Sequence, residues 1–432
     1  MIWDKKNETA RPEDMRREQS ANLRALVAKL HEKVPFYRAK LEGAGVKPED
    51  IKSIEDIAKL PFTTKDEMRD VYPYGLLAVD QSEIAEVHMS SGTTGKPVVD
   101  AYTLKDLDIW SETMARTLSM GGIGKEDTLH NAYGYGLFTG GMGAHYGGRR
   151  VGANVLPVSG GNTQRQLMVL QDFKPTAITC TPSYSLYLAE YARENGVDPR
   201  KLSLKAGFFG AEPWSETMRQ EIEEKLGLKA YDIYGLTEII GPGVAAECER
   251  QDGLHFFEDH FYPEIINPGT GELVPEGETG ELVITTLTKE GTPLIRYRTR
   301  DITHFLLGDC PCGRTQRRIH RLLGRTDDLL IIRGVNIFPS QIEQALFKFE
   351  GIEPHYQLVV DRKDHLDTLE VQVEMNEQLF SDEIRRLAET ERHIEGQLHS
   401  ALGIHAKVKL VNPKSIARSE GKAKRIVDKR KL

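Results

Sequence analysis

Cysteine is scarce here, with four residues in a chain of 432, too few for the disulfide frameworks that staple small secreted domains. Long apolar runs are missing too. No stretch of about eighteen consecutive apolar residues exists to span a bilayer, and the opening MIWDKKNETARPEDMRREQS has charges with no apolar run behind them. Nor is there a surplus of positive charge. Lys and Arg number 57 against 65 Asp and Glu, a formal charge of -8 with a pI near 6.0, whereas a nucleic-acid-binding surface needs a basic footprint. Repeats and low-complexity tracts are absent. What remains is the composition of an ordinary soluble globular protein, 39% hydrophobic and 28% charged, long enough for roughly two or three domains. The expectation is a cytoplasmic protein with neither membrane nor nucleic acid as partner.

The densest chemistry lies in Ser90-Ser91-Gly92-Thr93-Thr94-Gly95-Lys96-Pro97. Glycines let backbone N–H groups approach an anion closely, while the hydroxyls and Lys96 add donors and a compensating charge, so the segment suits phosphate. It is not a Walker loop. Only Thr93 and Thr94 separate the first Gly from the Gly-Lys pair, and Pro97 follows where that motif needs Ser or Thr. Taken alone, such a cluster also describes a surface turn.

Periodicity organises the rest. Leu23, Leu26, Val27, Leu30 and Val34 share one helical face that Pro35 ends. From about residue 84 to 240 strand-like runs alternate with helical ones: a strand around Thr176 to Thr181, another from Ala206 to Gly210, and a helix led by Ser215 with Met218, Ile222 and Leu226 on one face before Gly227. This alternation predicts a mainly parallel α/β sheet with ligand sites on its loops. Residues 262–325 are Gly/Pro-punctuated and strand-rich, a β subdomain. A compact α+β unit then follows: a strand at Asp328 to Ile332, a capping box of Ser340 and Glu343, an alternating strand with Leu369, Val371 and Val373, a helix using Ile384, Leu387, Ile394 and Leu398 up to Gly403, and a last strand with Val408 and Leu410. A basic tail, Lys422 to Lys431, closes the chain. The fold class expected is α/β: a large domain over residues 1–326, with a helical lead-in at 1–80, and a small one over 328–432.

Four further segments join the phosphate loop: Gly210-Ala211-Glu212-Pro213, Tyr234-Gly235-Leu236-Thr237-Glu238, Tyr297-Arg298-Thr299-Arg300-Asp301, and Gly324-Arg325-Thr326-Asp327-Asp328 running into Arg333-Gly334-Val335-Asn336. With Gly421-Lys422-Ala423-Lys424-Arg425 at the end, their order and spacing resemble the adenylate-forming (acyl-CoA synthetase) superfamily, most closely its phenylacetate-CoA ligase family. Thr63-Thr64-Lys65, Tyr133-Gly134-Tyr135-Gly136-Leu137-Phe138-Thr139-Gly140-Gly141, Asp309-Cys310-Pro311-Cys312-Gly313-Arg314-Thr315 and Arg418-Ser419-Glu420-Gly421-Lys422 are particular to that family.

The resemblance implies an ATP-dependent aryl-acid:CoA ligase that forms an acyl-adenylate and then a thioester, with phenylacetate as the leading acid. It assigns Ser90 to Lys96 to the triphosphate, Glu238 to magnesium, Thr237 to the α-phosphate, Tyr234 with Gly235 and the Gly210-Ala211-Glu212 turn to the nucleotide, and Asp301 with Arg325 to the ribose. Lys422 is the mobile lysine of adenylation, Asp327 the hinge and Gly334 the backbone facing CoA. Tyr133, Tyr135 and Phe138 would wall an acyl pocket floored by Gly210 and Ala211. Relatives suggest a homodimer. The competing acceptor is a carrier-protein thiol in place of CoA, and a rival of another class is a zinc-stabilised scaffold without turnover.

The cysteines carry independent content. Cys248 and His255 lie on one segment and Cys310 and Cys312 on another, a Cys3His set that can close tetrahedrally around a structural zinc. His260 and His304 compete as ligands, and reduced, unliganded thiols remain the alternative. Cys180, in an apolar run, reads as core.

Overall fold

The computed structural model describes residues 1–90, 96–332, 335–363, 366–381, 384–419, 423 and 425–430. After a single turn at Lys5–Glu8, the lead-in continues with the helix Pro12–Lys33, whose Leu23, Leu26, Val27 and Leu30 are buried. Pro35 ends it and also opens the next helix, Pro35–Gly43, where a missing N–H costs nothing.

Among the described residues a nine-stranded sheet forms the centre. Asn154–Leu156, Thr128–Asn131, Ala177–Cys180, Ala206–Phe209 and Lys229–Leu236 lie side by side and parallel. Helices link them, including Pro182–Glu194 and Glu216–Leu226. The sequence signals at these helices hold: Ser215 accepts from the Met218 N–H, and Gly227 closes the helix in the left-handed region at φ 68°. Strands Ala177–Cys180 and Ala206–Phe209 are buried throughout, as parallel strands covered on both faces must be. Beyond Lys229–Leu236 the sheet becomes antiparallel through Gly241–Glu247, Leu254–Phe256, Arg318–Ile319 and Phe305–Leu306. The last two strands fall inside the 262–325 region yet extend the central sheet.

A second, antiparallel sheet runs Phe261–Ile266, Gly280–Thr286, Tyr297–Thr303 and Gly324–Arg325. The hairpin Glu86–Met89 with Val99–Tyr102 brackets the phosphate segment.

The C-terminal unit is α+β. Lys407–Val411, Leu366–Met375, Ile352–Lys363 and Ile426–Asp428 form its sheet, with Leu358, Val360, Val371 and Val373 buried together with Ile394 and Leu398 of the helix Ile384–Leu402. Two expectations change here. Ser340 and Glu343 do not form a capping box: Pro339 occupies the first helical turn, so the helix Pro339–Leu346 starts earlier, and Gln341 takes the Phe338 N–H at 2.9 Å. Glu343 turns instead to the Ser215 N–H, at 3.0 Å, and to Arg425. The basic tail is not simply solvated, because Ile426–Asp428 pairs in parallel with Ile352–Lys363. The whole is the mixed α/β architecture expected, with a cavity at the carboxyl ends of the parallel strands.

Candidate active site

Where Lys229–Leu236 leaves the central sheet, segments far apart in sequence enclose a cavity of about 340 Å³. Its wall includes Lys65, Ser90, Tyr133, Phe138, Ala211, Glu212, Tyr234, Gly235, Thr237, Glu238, Asp301, Arg325 and Ala423. Close packing explains the small residues around it. A Cβ on Gly235 would sit 1.9 Å from the Gly241 carbonyl oxygen. Ala211 and Arg300 hold φ of 70° and 66°, a left-handed backbone that L-residues keep only where surrounding structure enforces it.

Asp301 sits directly opposite Arg325 in the antiparallel pair, which puts the two side chains on one face. Arg325 Nη1 donates to Asp301 Oδ1 at 3.2 Å, and the Tyr234 hydroxyl donates to Oδ2 at 2.7 Å. Burial pushes the Asp301 carboxyl above its ordinary range while the Arg325 cation pulls it back. The same guanidinium makes two bonds to Asp327, at 2.8 and 3.1 Å. The result is a hydrogen-bonded acid anchored between the two sheets.

Glu238 is almost wholly buried, and its Oε1 lies 2.8 Å from Lys65 Nζ. Lys65 belongs to a segment whose role the sequence left open; the fold brings it across to the acid. Asp232, also in the wall, is pushed up to about 7 by burial and then by the neighbouring Glu247 carboxylate, with Arg321 opposing. Sequence reasoning passed over Asp232, although it stands two residues before Tyr234 on the same strand. Glu212 spends both oxygens on backbone donors, the Ser183 N–H at 2.8 Å and the Ala423 N–H at 3.0 Å.

Ser91, Gly92, Thr93, Thr94, Gly95, Gly334 and Lys422 fall outside the described residues. Lys96 is exposed, 5.8 Å above the Tyr72 ring, and does not line the cavity. Tyr135 is not part of the wall: its hydroxyl is drawn away by Asn131 Nδ2 at 2.8 Å and His145 Nδ1 at 3.1 Å. Gly210 is not part of it either. A Cβ there would lie 2.4 Å from the Ile233 carbonyl oxygen, so its smallness serves strand packing.

A second cluster contributes no residue to the cavity wall. Cys248, His255, Cys310 and Cys312 offer one ligand atom each, all within 4.8 Å of one another. Cys248 Sγ to Cys310 Sγ is 3.7 Å and Cys312 Sγ to His255 Nε2 is 3.5 Å. A tetrahedron with bonds of ~2.3 Å has edges of about 3.8 Å, so the donor set fits zinc. His260 bonds Thr288 and His304 stacks on His320; neither belongs to the group.

Residues 18–288 match the AMP-binding enzyme family model and residues 334–430 the AMP-binding enzyme C-terminal domain. The phenylacetate-coenzyme A ligase of Thermus thermophilus is 49% identical over the full length of both chains. That of Escherichia coli (strain K12) is 49% identical over 98% of this chain and 97% of its own. Among solved structures, 2-hydroxyisobutyryl-CoA ligase in the postadenylation state with R3-HIB-AMP is 32% identical, with a TM-score of 0.94 over 99% of this chain and 92% of that one. The same ligase with 2-HIB-AMP and CoA in the thioesterification state, 33% identical, has a TM-score of 0.74 over the same shares. The chain belongs to the phenylacetate-CoA ligase family of the AMP-binding enzymes and is an ATP-dependent acid–CoA ligase.

Proposed function

We propose that the acid is phenylacetate or a close aryl-acetate. Full-length identity of 49% to phenylacetate-coenzyme A ligases carries this reading. The cavity is consistent with it: Tyr133, Phe138, Gly140 and Ala211 offer a mostly apolar wall beside the polar nucleotide end. The acid's carboxylate attacks the α-phosphorus of ATP and pyrophosphate leaves; the CoA thiol, losing its proton, then attacks the acyl carbonyl and AMP leaves.

The residues divide the work. Asp301, held by Tyr234 and Arg325, accepts from the ribose hydroxyls. Asp232 is a buried acceptor suited to the exocyclic amine of adenine. Ser90 and the loop 91–95 donate to the triphosphate, and Thr237 to the α-phosphate. Glu238 with phosphate oxygens would hold magnesium, a hard cation that binds through few carboxylates and supplies positive charge beside the leaving pyrophosphate. Lys65 sets a fixed cation against Glu238. Lys422, on the mobile small domain over 328–432, adds charge between carboxylate and phosphate, and the hinge is at Asp327; Gly334 faces the pantetheine after rotation. Cys248, His255, Cys310 and Cys312 would hold a structural zinc that pins the loop after Gly241–Glu247 to the segment 310–312. The active molecule is a homodimer.

An acid panel tests the reading: phenylacetate, benzoate, an aliphatic acid and 2-hydroxyisobutyrate, each with ATP, Mg2+ and CoA, with AMP and acyl-CoA resolved by chromatography. Phenylacetyl-CoA should dominate, and Lys422→Ala should lose pyrophosphate exchange. Exchange without any CoA thioester would favour a carrier-protein acceptor and overturn the proposal.

A further inference from the structure

The segment Lys414–Ser419, which leads into the C-terminal lysine motif, is tied in two directions. Inward, Glu374 is fully buried and accepts from the Lys414 N–H at 3.1 Å, the Ile416 N–H at 2.6 Å and both terminal nitrogens of Arg418 at 2.7 and 2.9 Å. These bonds lie within the C-terminal unit. Outward, Arg418 makes a second bidentate pair with Glu190 of the helix Pro182–Glu194, at 3.0 and 3.1 Å. Lys414 pairs with Glu194, one turn further along that helix. Carboxylates at i and i+4 share a helical face, so Glu190 and Glu194 present one acidic edge to two cations that are themselves four residues apart. His355 Nε2 also lies 3.6 Å from Glu190. Just past the lysine motif, the Ala423 N–H bonds Glu212 of the cavity wall.

The inward bonds are indifferent to how the C-terminal unit is placed; the outward ones join it to the helix Pro182–Glu194 and so depend on the placement seen here. That placement resembles the postadenylation ligase at a TM-score of 0.94 and the thioesterification state at 0.74. We infer that Glu190 is a positioning residue for the adenylation half-reaction, acting through Arg418 to seat the segment that carries the C-terminal lysine, with Glu194 assisting through Lys414. The inference rests on the two-step ligase reading above. One guanidinium here faces two carboxylates, so neutralising Glu190 leaves Arg418 still paired with Glu374 and orphans no buried charge.

The experiment compares wild type, Glu190→Gln and Glu190→Gln/Glu194→Gln in two separate assays: ATP–pyrophosphate exchange with phenylacetate, and thioester formation from preformed phenylacetyl-adenylate plus CoA. The double variant should lose about tenfold in exchange, equivalent to about 1.4 kcal/mol, while thioester formation stays within twofold or rises. Added salt should slow exchange more in wild type than in the double variant, since part of what it screens has already been removed there. Exchange unchanged in the double variant, or both half-reactions falling together, overturns the assignment. Wild-type exchange is the control on the ligase reading itself: its absence would sink that reading and this one together, whereas normal wild-type exchange with an unaffected variant sinks only the role of Glu190.

Discussion

Replacing Lys289 by Met should be among the most damaging single changes outside the cavity. Lys289 and Asp100 are each 1% exposed in their side chains. The ammonium lies 2.5 Å from Asp100 Oδ1 and 2.7 Å from the Ile239 carbonyl oxygen, and sits 4.6 Å from the Tyr102 ring centre. Asp100 stands on the strand that leaves the phosphate segment, opposite His88, and Ile239 directly follows Glu238. One cation therefore ties the phosphate hairpin to the turn bearing Glu238. Breaking a buried pair from one side costs about 3–5 kcal/mol, a large part of the ~5–15 kcal/mol that holds a domain folded. Asp100→Asn/Lys289→Met, which leaves neither charge alone, should recover about 2–3 kcal/mol of coupling in a double-mutant cycle. Urea denaturation followed by tryptophan fluorescence reads this, since Trp110, one of three tryptophans, is buried and stacked on Tyr102 with ring centres 5.1 Å apart. The double variant should also show a raised KM for MgATP, because the hairpin is no longer tethered. A coupling energy below about 0.5 kcal/mol would refute the reasoning.

Three other outcomes follow from the geometry. Glu238→Gln keeps the shape of the turn but removes the charge, so exchange should fall by about 10²–10³ while the variant melts near the wild-type temperature; near-normal turnover at saturating magnesium would exclude Glu238 as its ligand. Elemental analysis should find about one zinc per chain, lost in Cys310→Ser with a lowered melting temperature; metal-free protein of unchanged stability would argue for plain thiols. His130, buried against Gln166 at 2.5 Å, is held down to about 4 by burial, with the Gln166 bond opposing. Between that value and its ordinary 6.5 the unfolded chain takes up a proton that the fold refuses, so its stabilising contribution is complete above pH 6.5 and is lost as pH falls toward 4. The loss amounts to roughly 3 kcal/mol at about 1.36 kcal/mol per unit. A His130→Gln variant with the same acid slope as wild type in urea titrations would remove His130 from the explanation.

Elements whose signals are local were legible in the chain. The helix after Ser215 was readable from a cap, a 3.6-residue period and a terminal glycine, all within a dozen residues. Three of the four candidate metal ligands were also recognisable, since cysteine is scarce in this sequence, whereas His255 had His260 and His304 as rivals until the fold placed it beside the thiols. Errors arose where a side chain had two partners to choose from. Glu343 had a capping position within reach but serves the Ser215 N–H and Arg425. Tyr135 looked like pocket wall but is drawn off by Asn131 and His145. Ile426–Asp428, in a run of charges, read as tail because strand pairing depends on a free sheet edge that no local pattern announces.

The amino-acid order alone determined the class of fold, the succession of motifs and the chemistry they imply, because backbone propensity, period and residue type act over a few positions. Which groups meet was settled only by the tertiary structure: Lys65 against Glu238, Tyr234 and Arg325 on the two oxygens of Asp301, Lys289 between two segments of the site, Arg418 between two carboxylates. These contacts join residues far apart along the chain, and burial and charge decide among partners only after packing has brought them within reach.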